Sequence, residues 1–359
     1  MARINSSHKQ IQSKGKRSIL FLLFALMLGI KQQYLPISIE RRSYNFSSWD
    51  REFSVSCPLS VVKNRGIYKA REASSWDNVV LITAANFGFY DMLQNWEFLA
   101  GKHRLRWSVA AMDDSLYEKL GPNRAFFTTA MNSVRNASSY HSPGFNIVTC
   151  NKIRMVLMVL DNCELDVVFS DTDVAFMKDP FSHDFGDLIQ TGKYDYIYQL
   201  NYGNADAPRQ HIEMGKGSNG MQEKLSEVNT GFHYLSNRSQ VLRNLLRNTL
   251  TVCREKNYEQ DDQVILWNLL KEIDYRLCDK PEVDAEWSSQ FNREGNDVLS
   301  MCYLDPYFYR VGKPKPKEYM KKDTVVFHAN FVHGKESKIR SLQHQTLDGY
   351  GWNYSRVSR

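Results

Sequence analysis

Two aspartates one residue apart, Asp171 and Asp173, follow directly after a run of apolar residues in the sequence LDVVFSDTDV. Such a run is typical of a buried strand, and side chains at positions i and i+2 of a strand project from the same face. Two carboxylates held close together repel each other unless a cation joins them. Mg²⁺ and Mn²⁺ prefer oxygen ligands and leave coordination positions open to phosphate oxygens. The pair therefore predicts a divalent-metal site that binds a diphosphate.

A second group of polar residues follows another apolar run near the C-terminus, in the sequence VVFHANFVHGKESK. It contains His328, His333, Gly334, Lys335 and Lys338. An imidazole from this segment is a candidate third metal ligand, and a lysine is a candidate contact for phosphate oxygens. A histidine among oxygen ligands favours Mn²⁺ over Mg²⁺. The alternative, an ordinary polar surface loop, fits these residues equally well when the segment is taken alone.

The segments around these residues alternate between strand and helix patterns. Short apolar runs at residues 78–86 and 107–112 predict buried strands, and residues 89–99 between them have the apolar spacing of a helix. Another helix is predicted over residues 146–160, shortly before the strand that leads to Asp171. This alternation predicts an α/β fold with a parallel sheet. Open α/β sheets bind ligands at the carboxyl ends of their strands, and the acid pair lies at such an end.

Later segments continue the alternation. They predict strands at residues 194–200, 230–236 and 324–330, and helices at residues 238–256 and 261–273. The polar, glycine-rich stretch between the first two of these strands, residues 201–224, predicts a loop.

A basic tail, residues 1–17, precedes an uncharged apolar segment, residues 19–30. The tail carries five of the 46 basic residues and no acid, so the rest of the chain has 41 basic residues against 40 acidic ones. This balance does not predict a nucleic-acid-binding surface. The apolar segment is short for a membrane-spanning helix and also fits a cleaved signal that would make the protein secreted. The long basic region before it favours an uncleaved anchor with the body in the lumen.

The sequence therefore predicts a series of regions along one chain. These are a cytosolic basic tail (1–17), a signal-anchor helix (18–31), a stem (32–77), a folded α/β domain (78–345) and a C-terminal tail (346–359). A lumenal body would expose sequons at Asn45, Asn136, Asn237 and Asn353 to N-glycosylation. All six cysteines lie beyond the anchor, so one to three disulfides are expected, although the pairing cannot be deduced and buried free thiols are the alternative.

Taken together, these segments resemble the nucleotide-diphospho-sugar transferase family, which includes plant rhamnogalacturonan and extensin glycosyltransferases. The resemblance covers about residues 78–345 and is carried by LITAAN, NWEFLAGKHRLRWSVAAMDD, NKIRMVLMVLDNCELDVVFSDTDVAFMKDPF, NTGFHYL, DDQVILWNLL and FHANFVHGKESK. It implies one catalytic domain of Rossmann-like nucleotide-sugar transferase (GT-A type) fold, type II in the Golgi membrane. It also implies Mn²⁺ or Mg²⁺ dependence. The implied reaction is retaining transfer of galactose, xylose or arabinose from a UDP-sugar to a glycan or glycoprotein acceptor.

The resemblance also assigns roles to individual residues. Asp171, Asp173 and His328 would bind the metal, and Asp171 would also contact the donor. Asp262 and Gln263 match the acid-glutamine pair near the reacting carbon, where Asp262 is a candidate nucleophile and a helix N-cap is its alternative role. The other donor-binding positions correspond to Ala84, Ala85 and Asn86 at the nucleoside, Lys152, Asn229 and Gly231 at the donor and its sugar, and Gly334 and Lys338 at the diphosphate.

Two residues depart from the pattern of the family, and two other functions fit the same sequence. Thr172 stands where valine is usual and Phe176 where tryptophan is common, which leaves the sugar and the acceptor open. The run VVFSDTDVA also fits an aspartate phosphatase, with Asp171 as nucleophile and Asp173 as general acid. That enzyme needs another acid pair at a strand end, whereas the later pair in this chain opens a predicted helix. A non-catalytic glycan-binding domain of the same fold is the second alternative.

Overall fold

The structure is a computed structural model, and it describes only part of the chain. The described residues are 56–68, 76–127, 142–201, 227–278, 298–312, 323–330, 332–345 and 352. The predicted cytosolic tail, the signal anchor and the stem up to residue 55 lie outside them, as do the sequons at Asn45, Asn136 and Asn353. Most of the predicted loop and of the C-terminal tail also lies outside. No helix in the described ranges is long and apolar enough to cross a membrane.

The described residues form a mixed α/β structure around a central sheet of eight strands, with a second sheet of three strands beside it. The strands are β1 (Val79–Ala85), β2 (Ser108–Ala111), β3 (Ala125–Phe126), β4 (Asp166–Asp171), β5 (Val174–Phe176), β6 (Tyr196–Leu200), β7 (Val228–Leu235), β8 (Tyr275–Leu277), β9 (Leu299–Tyr303), β10 (Tyr309–Val311) and β11 (Val326–His328). The central sheet has the order β3-β2-β1-β4-β7-β6-β9-β8, and the small sheet has the order β10-β11-β5.

Helices cover the sheets, and they include all of those that the apolar spacing predicted. They are α1 (Leu59–Asn64), α2 (Tyr90–Lys102), α3 (Asp114–Leu120), α4 (Pro143–Cys163), α5 (Asp184–Gln190), α6 (Gln240–Glu255), α7 (Asp262–Leu270) and α8 (Lys335–Gln345). In α2 the buried residues Leu93, Trp96 and Ala100 recur every three or four positions, which is the stripe of a helix that packs on one side. Helices α4, α6 and α7 pack against one another.

The alternating side chains of β4 separate two layers. Ser170 lies on the side of α2, because its hydroxyl accepts a hydrogen bond of 2.9 Å from Trp96 Nε1. Phe169 lies on the other side, where the ammonium of Lys152 in α4 sits 5.4 Å from its ring centroid. Asp171 is two residues after Phe169 and shares its face. The face of β4 that carries Asp171 is therefore the face that α4 covers.

The predicted parallel sheet is only partly correct. Strands β1, β2, β3 and β4 pair in parallel, as the alternation with helices indicated. Strand β7, however, runs antiparallel to both β4 and β6. All eight residues of β7 are buried, so both of its faces are covered whichever way it runs. An apolar run of this kind indicates burial but not direction, and the pattern could not predict the reversal.

Part of the predicted stem packs into the core. The side chains of Val61 and Ile67 are fully buried, and that of Trp76 is almost so. Trp76 also makes an edge contact with Phe181, with ring centroids 5.4 Å apart. The boundary predicted at residue 78 remains a prediction, but the folded core includes residues that precede it.

All six cysteines pair in the structure, so the number of disulfides is three and buried free thiols are excluded. The pairs are Cys57–Cys163, Cys150–Cys253 and Cys278–Cys302. The first ties the segment before α1 to the end of α4, and the second ties α4 to α6. Helix α4 is therefore cross-linked at two places.

Removing the first cross-link tests this arrangement. Serine at both Cys57 and Cys163 opens a link between positions 106 residues apart. The unfolded chain then gains conformational entropy, and we expect the free energy of unfolding to fall by about 2–4 kcal/mol. Urea denaturation measures the change. Serine at Cys278 and Cys302, which are 24 residues apart, should cost less, and an unchanged midpoint for the first variant would contradict the pairing.

Candidate metal and donor site

The two aspartates lie in the chain segment that joins the two sheets. Asp171 is the last residue of β4 in the central sheet, Thr172 and Asp173 form a turn, and Val174 begins β5 in the small sheet. Their carboxylates converge because the chain turns here. The prediction that both lie on one strand at positions i and i+2 was wrong in that respect, although it placed both acids correctly at the strand end.

Backbone pairing in the small sheet brings His328 to the same place. Strand β11 runs antiparallel to β5 and pairs His328 with Val174. The amide of Ala329 donates a hydrogen bond of 3.0 Å to the carbonyl oxygen of Asp173. His328 is thus fixed next to the turn by two sequence-distant strands, and its imidazole faces the acids.

The three residues that were predicted to bind a metal form one compact group. His328 Nε2 lies 3.2 Å from Asp173 Oδ1 and 4.0 Å from Asp171 Oδ2. One ligand atom from each residue lies within 4.8 Å of the others. Asp173 and His328 are each 3% exposed, and Asp171 is half-buried. Two carboxylates and one imidazole at this spacing fit a divalent ion, which these three residues would hold.

Each of the two carboxylates accepts a hydrogen bond from a different lysine. Lys152 Nζ donates hydrogen bonds of 3.0 and 3.1 Å to the two oxygens of Asp171, and Lys338 Nζ donates to Asp173 Oδ2. Burial opposes ionisation of Asp173, but Lys338 and His328 together hold the pKa of this carboxyl below its usual range. Burial likewise works against the charge of Lys152, but Asp171 and Asp262 raise the pKa of this ammonium. The charges around them therefore stabilise Asp173 as an anion and Lys152 as a cation.

Lys152 connects the metal-binding group to Asp262. The distance from Lys152 Nζ to Asp262 Oδ2 is 3.8 Å. The N-cap of α7 is Asp261, whose side chain accepts a hydrogen bond of 2.9 Å from the amide of Val264. The alternative role of Asp262 as the helix cap is therefore wrong. Burial raises the pKa of Asp262 to about 6, and Lys152 opposes this rise.

Hydrogen bonds also join a second group of polar residues near the acid pair. We call this group the rim network, and it consists of Gln263, Glu227, Asn201, Asn229 and Asn330. Gln263 Oε1 accepts a bond of 3.3 Å from the amide of Thr230, and Gln263 Nε2 donates to Glu227 Oε1 at 3.3 Å. Asn201 Oδ1 accepts bonds from Asn229 Nδ2 at 3.3 Å and Asn330 Nδ2 at 2.8 Å. Gln263 and Asn229 were predicted as site residues.

Asn201, Glu227 and Asn330 were not predicted as site residues from the sequence. Asn201 directly follows β6, and Asn330 follows two residues after β11. A search for polar residues just beyond each predicted strand would have found Asn201, whereas Asn330 is the last residue of the strand that was predicted at residues 324–330. Glu227 precedes β7, and because β7 runs antiparallel its beginning lies at the same edge of the sheet.

The residues predicted near the nucleoside lie beside the acid pair. Ala84 pairs directly with Asp171 across the parallel strands β1 and β4. Ala85 and Asn86 follow it at the end of β1, and both are buried. The side chains of the two alanines are small, which is compatible with a ligand close to the backbone at the end of β1.

The segment around the beginning of α8 supplies Lys338 to the acids, but not every residue that was considered there. Gly334 has a φ of +81°, a value that favours glycine, and its carbonyl accepts the amide of Lys338 at 3.1 Å. Lys335 pairs with Asp91 at 2.8 Å and donates to the carbonyl of Gly88 at 2.9 Å. Lys335 thus ties α8 to the beginning of α2, while Lys338 reaches the acids.

Two other positions from the sequence analysis lie outside the candidate site. The side chain of Phe176 is fully buried in the core, with ring centroids 5.5 Å from Trp96 and 6.1 Å from Phe232. The departure noted at Phe176 therefore concerns packing of the core. His333 is exposed and does not belong to the group that could hold a metal.

The chain matches one protein family and is similar in structure to several solved proteins. Residues 102–342 match the family model of the nucleotide-diphospho-sugar transferases. The structure is similar to that of the galactosyltransferase LgtC, solved with donor and acceptor sugar analogs, at 14% identity and a TM-score of 0.38, covering 77% of this chain and 93% of that one. It is similar to mouse xyloside xylosyltransferase 1 at 11% identity and a TM-score of 0.35, covering 70% and 98%. No curated protein sequence matches the chain.

The structural likenesses are too distant to indicate a donor or an acceptor. The family match is different, because it spans more than half of the chain and includes β4, the acid pair and α8 up to Leu342. The phosphatase interpretation of Asp171 and Asp173 is therefore wrong. The chain belongs to the nucleotide-diphospho-sugar transferase family and is a glycosyltransferase.

Proposed function

We propose that this glycosyltransferase uses Mn²⁺ to transfer galactose, xylose or arabinose from a UDP-sugar to a glycan or glycoprotein, with retention of anomeric configuration. One observation carries the proposal: Asp171, Asp173 and His328 lie within 4.8 Å of one another at the edge of the sheet. An imidazole among carboxylates favours Mn²⁺, and Mg²⁺ is the alternative. Bound to these residues, the ion would supply Lewis-acid stabilisation of the leaving diphosphate.

The diphosphate would lie between the acid pair and α8. Lys338 Nζ donates a hydrogen bond to Asp173 Oδ2 in the structure, so its ammonium lies at the acid pair where the diphosphate would bind. A charge-assisted hydrogen bond from this lysine would stabilise the negative charge that develops on the nucleoside diphosphate as the sugar leaves. The small residues Ala84 and Ala85 and the buried Asn86 would border the nucleoside. Gly334 would let the chain approach the diphosphate closely.

The transferred sugar would lie against the rim network, between Asn229 and Gln263. Retention requires either a carboxylate nucleophile or attack by the acceptor on the face that the diphosphate leaves. Asp262 is the candidate nucleophile in the first case. Lys152 lies between Asp262 and Asp171, so its charge would hold the acid of the reaction centre and the acid of the diphosphate site at a fixed separation. Both mechanisms remain part of the proposal.

The proposal extends to fold type and compartment. Parallel strands that present metal-binding acids at the carboxyl end of β4 support a Rossmann-like fold of the GT-A type. Three disulfides support folding in an oxidising compartment. Together with the basic tail and apolar segment, they favour a type II protein of the Golgi membrane whose catalytic domain is lumenal. The acceptor would contact the loop at residues 201–224.

Nucleotide release tests the proposed reaction. The full-length protein in detergent should release UDP from at least one of UDP-galactose, UDP-xylose and UDP-arabinose when Mn²⁺ is present. EDTA should abolish the release, and Asp173→Asn should lower it at least roughly 100-fold, because one metal ligand is lost. Asp187→Asn changes an exposed acid of α5 and should have no effect. Binding of a UDP-sugar without any release would instead indicate a non-catalytic domain.

Lys338 should have opposite effects on the metal and on the nucleotide. Its ammonium occupies Asp173 Oδ2, so it competes with a cation for that oxygen. In Lys338→Met the competitor is gone, and we expect the affinity for Mn²⁺ alone to rise at least roughly threefold. The affinity for UDP in the presence of Mn²⁺ should fall roughly 10- to 100-fold, because a charge-assisted hydrogen bond to phosphate is lost.

Calorimetry measures both affinities in this experiment. Arg340→Met is the matched control, since it removes one positive charge from an exposed position of the same helix. If Lys338→Met raises both affinities or lowers both, the prediction is wrong, because Lys338 then does not exchange Asp173 for a phosphate when the nucleotide binds.

The raised pKa of Asp262 predicts a stability effect that depends on pH. Its ionised form is disfavoured in the fold, so the wild type loses stability as the pH rises from about 4 to the folded pKa of about 6. Asp262→Asn mimics the protonated acid and avoids this loss. In EDTA at pH 7.5 the variant should be more stable by up to about 3 kcal/mol, and the difference should vanish near pH 4.

Urea denaturation at several pH values measures this difference. Asp187→Asn, the exposed control, should show none. A difference between Asp262→Asn and the wild type that is the same at pH 4 and pH 7.5 would show that Asp262 is not held in an environment that disfavours its charge.

A further inference from the structure

Gly231 lies directly against the imidazole of His328. A Cβ atom built on Gly231 would stand 2.1 Å from Cε1 of this ring and 2.8 Å from each of its nitrogens. Carbon atoms in normal contact are about 3.5–4.0 Å apart, so no side chain fits between the two residues. The ring of the candidate metal ligand therefore occupies the space that any other residue at position 231 would fill.

No hydrogen bond from the described residues fixes this ring on its far side. His328 Nε2 faces the two acids, whereas Nδ1 is buried and has no hydrogen-bond partner in the described part of the chain. Histidines that bind metals usually donate the other ring N–H to a carboxylate or a carbonyl, which sets the direction of the ring. Here packing must set it, and Gly231 is a residue against which the ring packs.

Neither backbone can move away to make room. His328 lies in the middle strand of the small sheet and pairs with Val174 on one side and Val311 on the other. The amide of Gly231 donates a hydrogen bond of 2.8 Å to Asn229 Oδ1, and the next residue, Phe232, pairs with Ser170 of β4. An added methyl group at position 231 would therefore act on the one soft degree of freedom, the side-chain torsions of His328.

We propose that Gly231 is a positioning residue for the metal site: it aims His328 Nε2 at Asp171 and Asp173 by leaving the ring only one place to lie. This inference deepens the proposed function and depends on it for its consequence in metal binding. It differs from the expectation that Gly231 lies against the donor sugar, because the side of Gly231 where a Cβ would project is already covered by His328.

Metal binding without substrate tests the proposal. In Gly231→Ala the ring must turn away from the acids, and we expect the affinity for Mn²⁺, followed by calorimetry or by the electron paramagnetic resonance of the free ion, to fall roughly 10- to 100-fold. Gly101→Ala is the matched control. A Cβ there would lie 3.8 Å from the Trp107 ring, an ordinary contact, and should leave the affinity unchanged.

The competing role of Gly231 predicts a different result. If this glycine only makes room for the donor sugar, Gly231→Ala will bind Mn²⁺ alone like the wild type and will lose affinity only for the UDP-sugar relative to UDP. That result would overturn the proposal.

A double-mutant cycle separates positioning from general damage to the fold. In a His328→Ala background the ring is absent, so adding Gly231→Ala should change neither the melting temperature in EDTA nor the remaining Mn²⁺ affinity. In the wild-type background the same substitution should lower both. Equal effects in the two backgrounds would show that Gly231 acts independently of His328.

The cycle also distinguishes failure of this inference from failure of the proposed function. The melting temperatures in EDTA test the contact of Gly231 with His328 without any metal. If they are coupled but the wild type binds no Mn²⁺, the contact exists, and the metal-dependent function is what fails. If Gly231→Ala alone does not fold, folding of the double variant with His328→Ala remains the expected result, and its failure to fold would contradict the contact.

Discussion

The whole site depends on the repulsion between two carboxylates that the chain places at one point. Asp171 and Asp173 are held there by two sheets, and neither can swing away, because one ends β4 and the other is fixed by the amide of Ala329. Such an arrangement is stable only if positive charge surrounds it. Lys152 and Lys338 supply this charge, one from each side. The two lysines differ in what they can do next, since Lys152 is buried in α4 whereas Lys338 is half-exposed on α8.

This difference in burial separates two ion pairs: the pair of Lys152 with Asp171 is fixed, and in the pair of Lys338 with Asp173 each residue would exchange its partner for a ligand. Lys152 is also close to Asp262, so it cannot leave Asp171 without leaving a second buried acid with less compensation. Lys338 has no such second acid among its described contacts, and a diphosphate offers it an equivalent anion. A cation bound to Asp173 would replace the ammonium of Lys338, and a phosphate bound to Lys338 would replace the carboxylate of Asp173. Metal and nucleotide would then bind more favourably together than separately.

Much of the site could be predicted from the sequence, because its residues follow apolar runs and sheets bind ligands at strand ends. Asp171, Asp173 and His328 each follow such a run, and the fold brings the three together. The direction of β7 could not be predicted, since a strand buried on both faces has the same pattern in either direction. The small sheet was missed for a related reason: β5 and β10 have three residues each, too few to show a period. Without that sheet, the contact between Gly231 and His328 has no signal in the sequence, and resemblance alone linked the glycine to the sugar.

The arrangement shows why the fold needs two sheets at this point. A single strand can present two acids on one face, but it cannot add an imidazole from a segment about 150 residues later without a second set of backbone pairs. Pairing of β5 with β11 supplies those pairs and begins directly after Asp173, so the distance from acid to imidazole is set by one ladder step and not by a flexible loop. Strand β7 of the central sheet also contributes, because its one glycine, Gly231, leaves the space that the ring of His328 occupies. The order of the elements along the chain then matters little. What the site uses is the turn at Thr172, which joins the two sheets and so places the two acids beside the histidine.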